Sequence, residues 1–138
     1  MNDRYLYKAK RKHDSKFFKK GEWVEGAYYI EPYTDKCFII QWNSTGLGFN
    51  EFIEVDGESV CQCTELKDKN GKLIWENDIV KHDFGKDQIG VQLAIVKYDS
   101  KYACYQIKPI YDWMYCDKSD CEVIGNIFDN PELLEAGE

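Results

Sequence analysis

Short apolar runs with a period of two recur along the chain, each cut by Gly, Pro, Asn or Asp. A period of two sends successive side chains to opposite faces of a strand. The pattern predicts strands over residues 5–10, 23–30, 36–42, 59–63, 79–82, 89–98, 102–107 and 122–127. Residues 49–55 fit no single template. Between the first two strands, 10–16 is charged and aperiodic, which predicts a loop, and Phe17-Phe18 are expected to tuck back onto the core. In the strand over 89–98, Val91, Leu93 and Ile95 fall on one face and Ala94, Val96 and Tyr98 on the other. Apolar residues on both faces predict a central, covered strand. Trp23 and Trp75 lie in strands and are expected to be buried. Asn130-Pro131-Glu132 reads as a helix start, with Asn130 as N-cap and Pro131 in the first position. So short a helix needs Leu133 and Leu134 to dock.

The densest local signal is the stretch from Cys61 to Val80. Val60 to Thr64 alternates, Asp68-Lys69-Asn70-Gly71 turns the chain, and Leu73-Ile74-Trp75 resumes the apolar pattern. Asn-Gly between two such runs predicts a hairpin with a type I′ turn, positive φ being needed at both residues. Glu76-Asn77-Asp78 predicts a second tight turn. Many short strands at this spacing mean a mainly β protein, a small barrel or sandwich. The order of elements from Asp78 onward suits a five-stranded SH3-like barrel. The expected fold is therefore a β-rich N-terminal part over 1–63 and a partly open SH3-like barrel over 64–138, ending in the short helix and packed as one unit.

The same stretch carries a family resemblance. Thr64-Glu65-Leu66-Lys67-Asp68-Lys69-Asn70-Gly71-Lys72-Leu73-Ile74-Trp75-Glu76-Asn77-Asp78-Ile79-Val80 resembles the signature of the YopX family of phage and prophage proteins. The signature has glycine where this chain has Glu65 and Asn77. Asn tolerates left-handed backbone nearly as well as Gly. For Glu65, either the position does not need positive φ or the chain bends differently there. Val123-Ile124-Gly125-Asn126-Ile127-Phe128-Asp129-Asn130-Pro131-Glu132-Leu133-Leu134 is similar to the second strong motif of the family. Lys8 to Lys12 and Gly21 to Gly26 are similar to its N-terminal opening. The resemblance implies a β-rich first part, an SH3-like second part and a phage or prophage origin. It brings no activity and no catalytic residues.

Composition narrows the function classes. A hydrophobic content of 43%, with aromatics making up 15% of the whole chain, supports a buried core in a chain of 138 residues. There is no apolar segment of membrane-span length and no signal-peptide pattern, so a cytoplasmic protein in the bacterial host is expected, with its six cysteines reduced. The net charge of −7 is uneven: residues 1–25 hold 8 Lys/Arg against 4 Asp/Glu, and residues 112–138 hold 8 Asp/Glu and one Lys. An acidic chain is repelled by duplex nucleic acid at long range.

Catalytic and metal patterns are weak. Cys61 and Cys63 share a strand face, but with Cys116 and Cys121 they do not make the paired Cys-x₂-Cys spacing of zinc sites. His82-Asp83 are strand neighbours and face opposite ways, which does not make a base with its orienting acid. Asp68, Asn70, Gly71 and Glu76 resemble part of a calcium loop, yet Gly falls at the fourth position instead of the sixth. Gly85-Lys86 lacks the Ser/Thr of a phosphate loop. No enzyme, cofactor or metal is expected.

Three functions compete: a non-enzymatic module binding a host or phage protein or itself, a nucleic-acid-binding accessory protein, and, last, an enzyme. The candidate interaction surface is basic Arg11, Lys12, Lys19 and Lys20 with aromatic Tyr111, Trp113 and Tyr115 in an expected loop. Nucleic-acid binding would need the cations on one face near exposed aromatics. Strand 23–30 carries aromatics on both faces, and a small β protein must leave sheet edges, so a homo-oligomer built through N-terminal strands is expected. Elemental analysis of protein purified without a tag is expected to find well below one zinc per chain. About one zinc, lost on Cys61→Ser or Cys121→Ser, would overturn that reading.

Overall fold

The computed structural model describes residues 5–41, 51–83, 90–101, 103–108 and 121–136. Among them run the strands β1 (Tyr7–Lys10), β2 (Trp23–Ile30), β3 (Cys37–Gln41), β4 (Glu51–Val55), β5 (Cys61–Lys67), β6 (Leu73–Trp75), β7 (Asp78–Asp83), β8 (Val91–Asp99), β9 (Cys104–Lys108) and β10 (Cys121–Asn126), then the helix α1 (Glu132–Ala136). The protein is mainly β. The chain divides into two units, Met1–Cys63 and Thr64–Glu138.

In the first unit β1 pairs antiparallel with β2 on one side and with the start of β5 on the other. β3 and β4 extend the sheet beyond β2. Past Lys10 the chain reaches across to β4. Arg11 bridges Val55, the Lys12 N–H donates to the Glu54 carbonyl (3.1 Å), and the Asp56 N–H donates to the Lys10 carbonyl (2.9 Å). This ties two parts of a curled sheet together at one point without closing a barrel. Alternation sends Ala9, Val24, Ile39 and Val55 inward, where Tyr7, Tyr28, Cys37, Ile53 and Val60 pack on them. Gly26 is required by the close approach of β3, because a Cβ there would lie 2.3 Å from the Ile40 carbonyl oxygen.

In the second unit the sheet order is β10-β7-β8-β9, with β6 lying beside β5. The outer strands β9 and β10 are not neighbours, so this sheet too stays open. Ile74, Val80, Ala94, Val96, Ile107, Cys121 and Val123 form its core. β8 is central, as its pattern predicted, but only Ala94 and Val96 are fully buried. The opposite face is half-covered, and Val91 is 51% exposed.

The turn at Asn70-Gly71 is not type I′, because only Gly71 takes positive φ (82°). The Gly71 N–H donates to the Asp68 carbonyl (3.0 Å), and the Asp68 N–H donates to the Lys72 carbonyl (2.8 Å). This is a three-residue hairpin loop with glycine at the left-handed position. Asp68 selects it. One carboxylate oxygen accepts from the N–H groups of Asn70 and Lys72 (2.9 Å each), the other from the N–H of Val123 (3.0 Å). The Lys69 N–H donates to the Cys121 carbonyl (3.0 Å) beside it. The hairpin is thus pinned to β10 through a side chain that is itself only 5% exposed. Burial alone would raise the pKa of Asp68. The backbone donors Val123, Lys72 and Asn70, with the charge of Lys72, outweigh burial and hold it below the ordinary carboxylate value.

Both positions where the family signature has glycine take left-handed backbone: Glu65 at φ 68° and Asn77 at φ 72°. The position does need positive φ, and Glu65 occupies it under strain.

Other departures from expectation have local causes. Phe17 is 80% exposed and Phe18 45%, so neither tucks into the core; Phe18 instead carries the Arg11 guanidinium. Trp23 is half-buried on the outer face of β2, under the ammonium groups of Lys8 and Lys10, while Trp75 is buried. Asn130 precedes α1, but its side-chain oxygen accepts from the Asn126 N–H (3.2 Å) and does not cap the helix. A Cβ on Gly125 would lie 2.5 Å from that oxygen, which explains glycine at the β10 irregularity. The expected loops at 43–48, 84–87 and 111–120 lie outside the described residues, as do Cys116, Tyr111, Trp113 and Tyr115.

Asp68→Ala is expected to lower stability by about 2–4 kcal/mol, since it strands buried N–H groups. The wild-type contribution is complete above pH ~4, near the unfolded Asp pKa, and is lost as pH falls through the lower folded value. Melts of both proteins across pH 2–7 should therefore converge in acid. A constant gap would refute the assignment. In a second pair of melts, Glu65→Gly is expected to gain about 0.5–1 kcal/mol, relief of left-handed strain exceeding the added chain entropy. Gly71→Val, at the same sign of φ, is expected to lose about 1–3 kcal/mol.

Candidate functional site

The outer face of the first unit follows from the same alternation that builds its core. With Val24 and Ile39 inward, Tyr29 of β2, Phe38 of β3 and Phe52 of β4 point outward. Tyr29 pairs with Phe38 across β2 and β3. The three rings form a triangle: Tyr29 to Phe38 6.4 Å, Tyr29 to Phe52 6.3 Å and Phe38 to Phe52 6.4 Å between centroids, two of the contacts edge-on. That is ordinary aromatic pairing geometry. Yet Phe52 remains 59% exposed and Tyr29 41%. These residues share a rigid sheet, so the patch is preformed.

Beside it the basic segment is anchored to β4. Glu54 accepts a hydrogen bond from His13 Nε2 (3.0 Å) and lies 3.6 Å from Lys12 Nζ. The His13 hydrogen bond is the main cause of a lowered Glu54 pKa, with burial opposing and the charges of Lys12, Lys36 and His13 adding. The Lys20 N–H donates to Asp14 Oδ1 (2.8 Å), which closes the loop end. Arg11 is pinned by main-chain bonds, its N–H to the Glu22 carbonyl (2.9 Å) and its carbonyl to the Gly21 N–H (2.8 Å). Its guanidinium carbon sits 4.0 Å from the Phe18 ring centroid.

Of the surface expected from sequence, Arg11, Lys12 and Lys20 come together around one cleft of about 450 Å³, with Lys10, Gly21 and Asp56. Lys19 does not line it. Tyr111, Trp113 and Tyr115 are outside the described residues. Sequence reading missed Phe52, which fell in a segment of no clear period, and so missed the aromatic triangle. Tyr29 was legible as one aromatic too many for β2.

Chemistry at the titratable groups is limited. His82 is buried in β7 and Asp83 is exposed, facing the other way. Tyr28 donates to Cys37 Sγ (3.3 Å), and burial, that bond and the neighbouring Cys37 and Tyr7 push its pKa up to about 12. Cys61, Cys63 and Cys121 are buried thiols that form no disulfide. Among the described residues no group of three or more His, Cys, Asp and Glu could hold a metal ion.

Two open antiparallel sheets, a short C-terminal helix and an exposed aromatic face define a small mainly-β protein. The YopX protein family profile matches residues 7–135, nearly the whole chain. The chain belongs to the YopX family. The crystal structure of protein EF1440 from Enterococcus faecalis is similar over 94% of this chain and 96% of its own, with a TM-score of 0.53 at 22% identity; that likeness bears on fold alone. The curated proteins give no match. No helix among the described residues is long and apolar enough to cross a membrane.

Proposed function

We propose that this chain is a non-enzymatic interaction module encoded by a phage or prophage, acting in the bacterial cytoplasm and binding a protein partner through the outer face of its N-terminal sheet. The outward-facing triangle of Tyr29, Phe38 and Phe52, with Tyr29 and Phe52 exposed and Phe38 half-buried, carries this reading. Aromatic anchors held on a rigid sheet are what concentrate binding energy at protein interfaces. The simplest assembly is a two-fold homodimer through this face of the N-terminal strands, which a host or phage protein would take over in place of the second copy.

Nucleic-acid binding is the second reading, favoured by cations beside aromatic rings: Lys8 and Lys10 at Trp23, Arg11 at Phe18. The protein reading is stronger because carboxylates stand among those cations. Glu54 holds Lys12 and His13, Asp14 receives the Lys20 N–H, and the whole chain carries −7.

Light scattering at micromolar concentration is expected to give twice the 16.2 kDa chain mass for wild type. The Tyr29→Ser, Phe52→Ser double variant is expected to be monomeric, with stability within about 1 kcal/mol of wild type because both rings lie on the outer face, away from the core. A wild-type mass of one chain at every concentration would rule out self-association. Affinity capture from infected cells tests the partner: proteins retained equally by wild type and the double variant would sink the aromatic face.

A further inference from the structure

The cleft is lined by Lys10, Arg11, Lys12, Lys20, Gly21 and Asp56, in a chain that is acidic as a whole. The Lys10 ammonium lies over Trp23 and that of Lys12 beside Glu54, so Arg11 and Lys20 are the cations of the cleft to consider. Arg11 is held there before any ligand arrives. Its main chain is bonded to Glu22 and Gly21 and bridged to Val55, and its guanidinium lies on Phe18. Yet its Nε–H, buried from solvent, has no hydrogen-bond partner among the described residues. Buried N–H groups are nearly always satisfied, and one left unpaired is destabilising. Neither Arg11 nor Lys20 makes an ion pair among the described residues. A fixed guanidinium and a neighbouring ammonium, both unmatched, are the donors an oxyanion requires.

We propose that this cleft is an oxyanion subsite whose occupant is an acidic segment of a partner protein, with its carboxylates on Arg11 and Lys20. The choice of a protein rests on the reading given above. A nucleic-acid strand needs a track of cations for successive phosphates. Here Asp56 within the cleft and Glu54 at Lys12 interrupt such a track, whereas one or two carboxylates need only a single seat.

The probe is a fluorescent peptide of eight glutamates, followed by anisotropy with the full chain at low salt. Saturable binding is expected, weakening as salt rises. Lys20→Ala is expected to weaken it about tenfold, as is Arg11→Lys, which keeps the charge and loses the planar fork. Lys19→Ala, next in sequence but outside the cleft, should leave it within about twofold. Circular dichroism and melting establish that each variant is folded. Absence of saturable binding to folded wild type, or binding by the Lys20 and Arg11 variants as tight as that of wild type, overturns the proposal. An eight-nucleotide thymidine strand that binds tighter than the peptide, and is weakened by the same two substitutions, overturns the acidic-protein occupant in favour of nucleic acid. The aromatic triangle is untouched in these variants, so failure here and failure of the aromatic face are read separately.

Discussion

The Asp68 carboxylate is the constraint on which the second unit depends. It lies at the one place where a hairpin loop and a strand more than fifty residues away must be held together. Two of its acceptor positions shape the loop and a third receives the Val123 N–H of β10. A buried carboxylate without such donors would be strongly unfavourable. With three of them it becomes a rivet whose strength exceeds that of any neutral side chain of the same size. Lys69 and Cys121 add a main-chain bond at the same junction.

The family signatures turn out to be structural punctuation. Thr64 donates its hydroxyl to the Ile74 carbonyl (2.6 Å), Asp78 receives the Trp75 N–H (2.8 Å), and Asn77 takes left-handed backbone while its N–H donates to the Val96 carbonyl (2.8 Å). In the second motif the Asn126 side chain accepts from Phe128 and Asp129, and Asn130 folds back onto Gly125 and Asn126. Each named polar residue satisfies backbone that a tight turn leaves unpaired. Such motifs specify a fold strongly and say nothing of chemistry. Glu65 shows the same logic by exception, since it stands in a backbone region that glycine enters freely.

The proposed binding surface lies in the first unit, on the face the core does not use. An inward set of Ala9, Val24, Ile39 and Val55 fills a small interior, and the aromatic surplus of β2, β3 and β4 stays outside. The basic segment that follows β1 lies against β4 because Glu54 gathers Lys12 and His13. That pairing consumes part of the charge that composition counts as free. Arg11 and Lys20 keep theirs.

From sequence alone came the β class, most strand positions, the two tight turns and the family, because period-two alternation and turn residues act over a few neighbours. The surplus aromatics of β2 were legible for the same reason. The turn type at Gly71 was not: Asp68 chose it through Val123, a partner no local pattern can reveal. Nor was the exposure of Phe17, the half-burial of Trp23, or the meeting of Tyr29, Phe38 and Phe52. Those depend on which strands become neighbours and which face is left uncovered, and antiparallel pairing between distant segments decides both. Tertiary register, and not any residue's own preference, placed Phe52 beside Tyr29 and left the Arg11 Nε–H buried without a hydrogen-bond partner among the described residues.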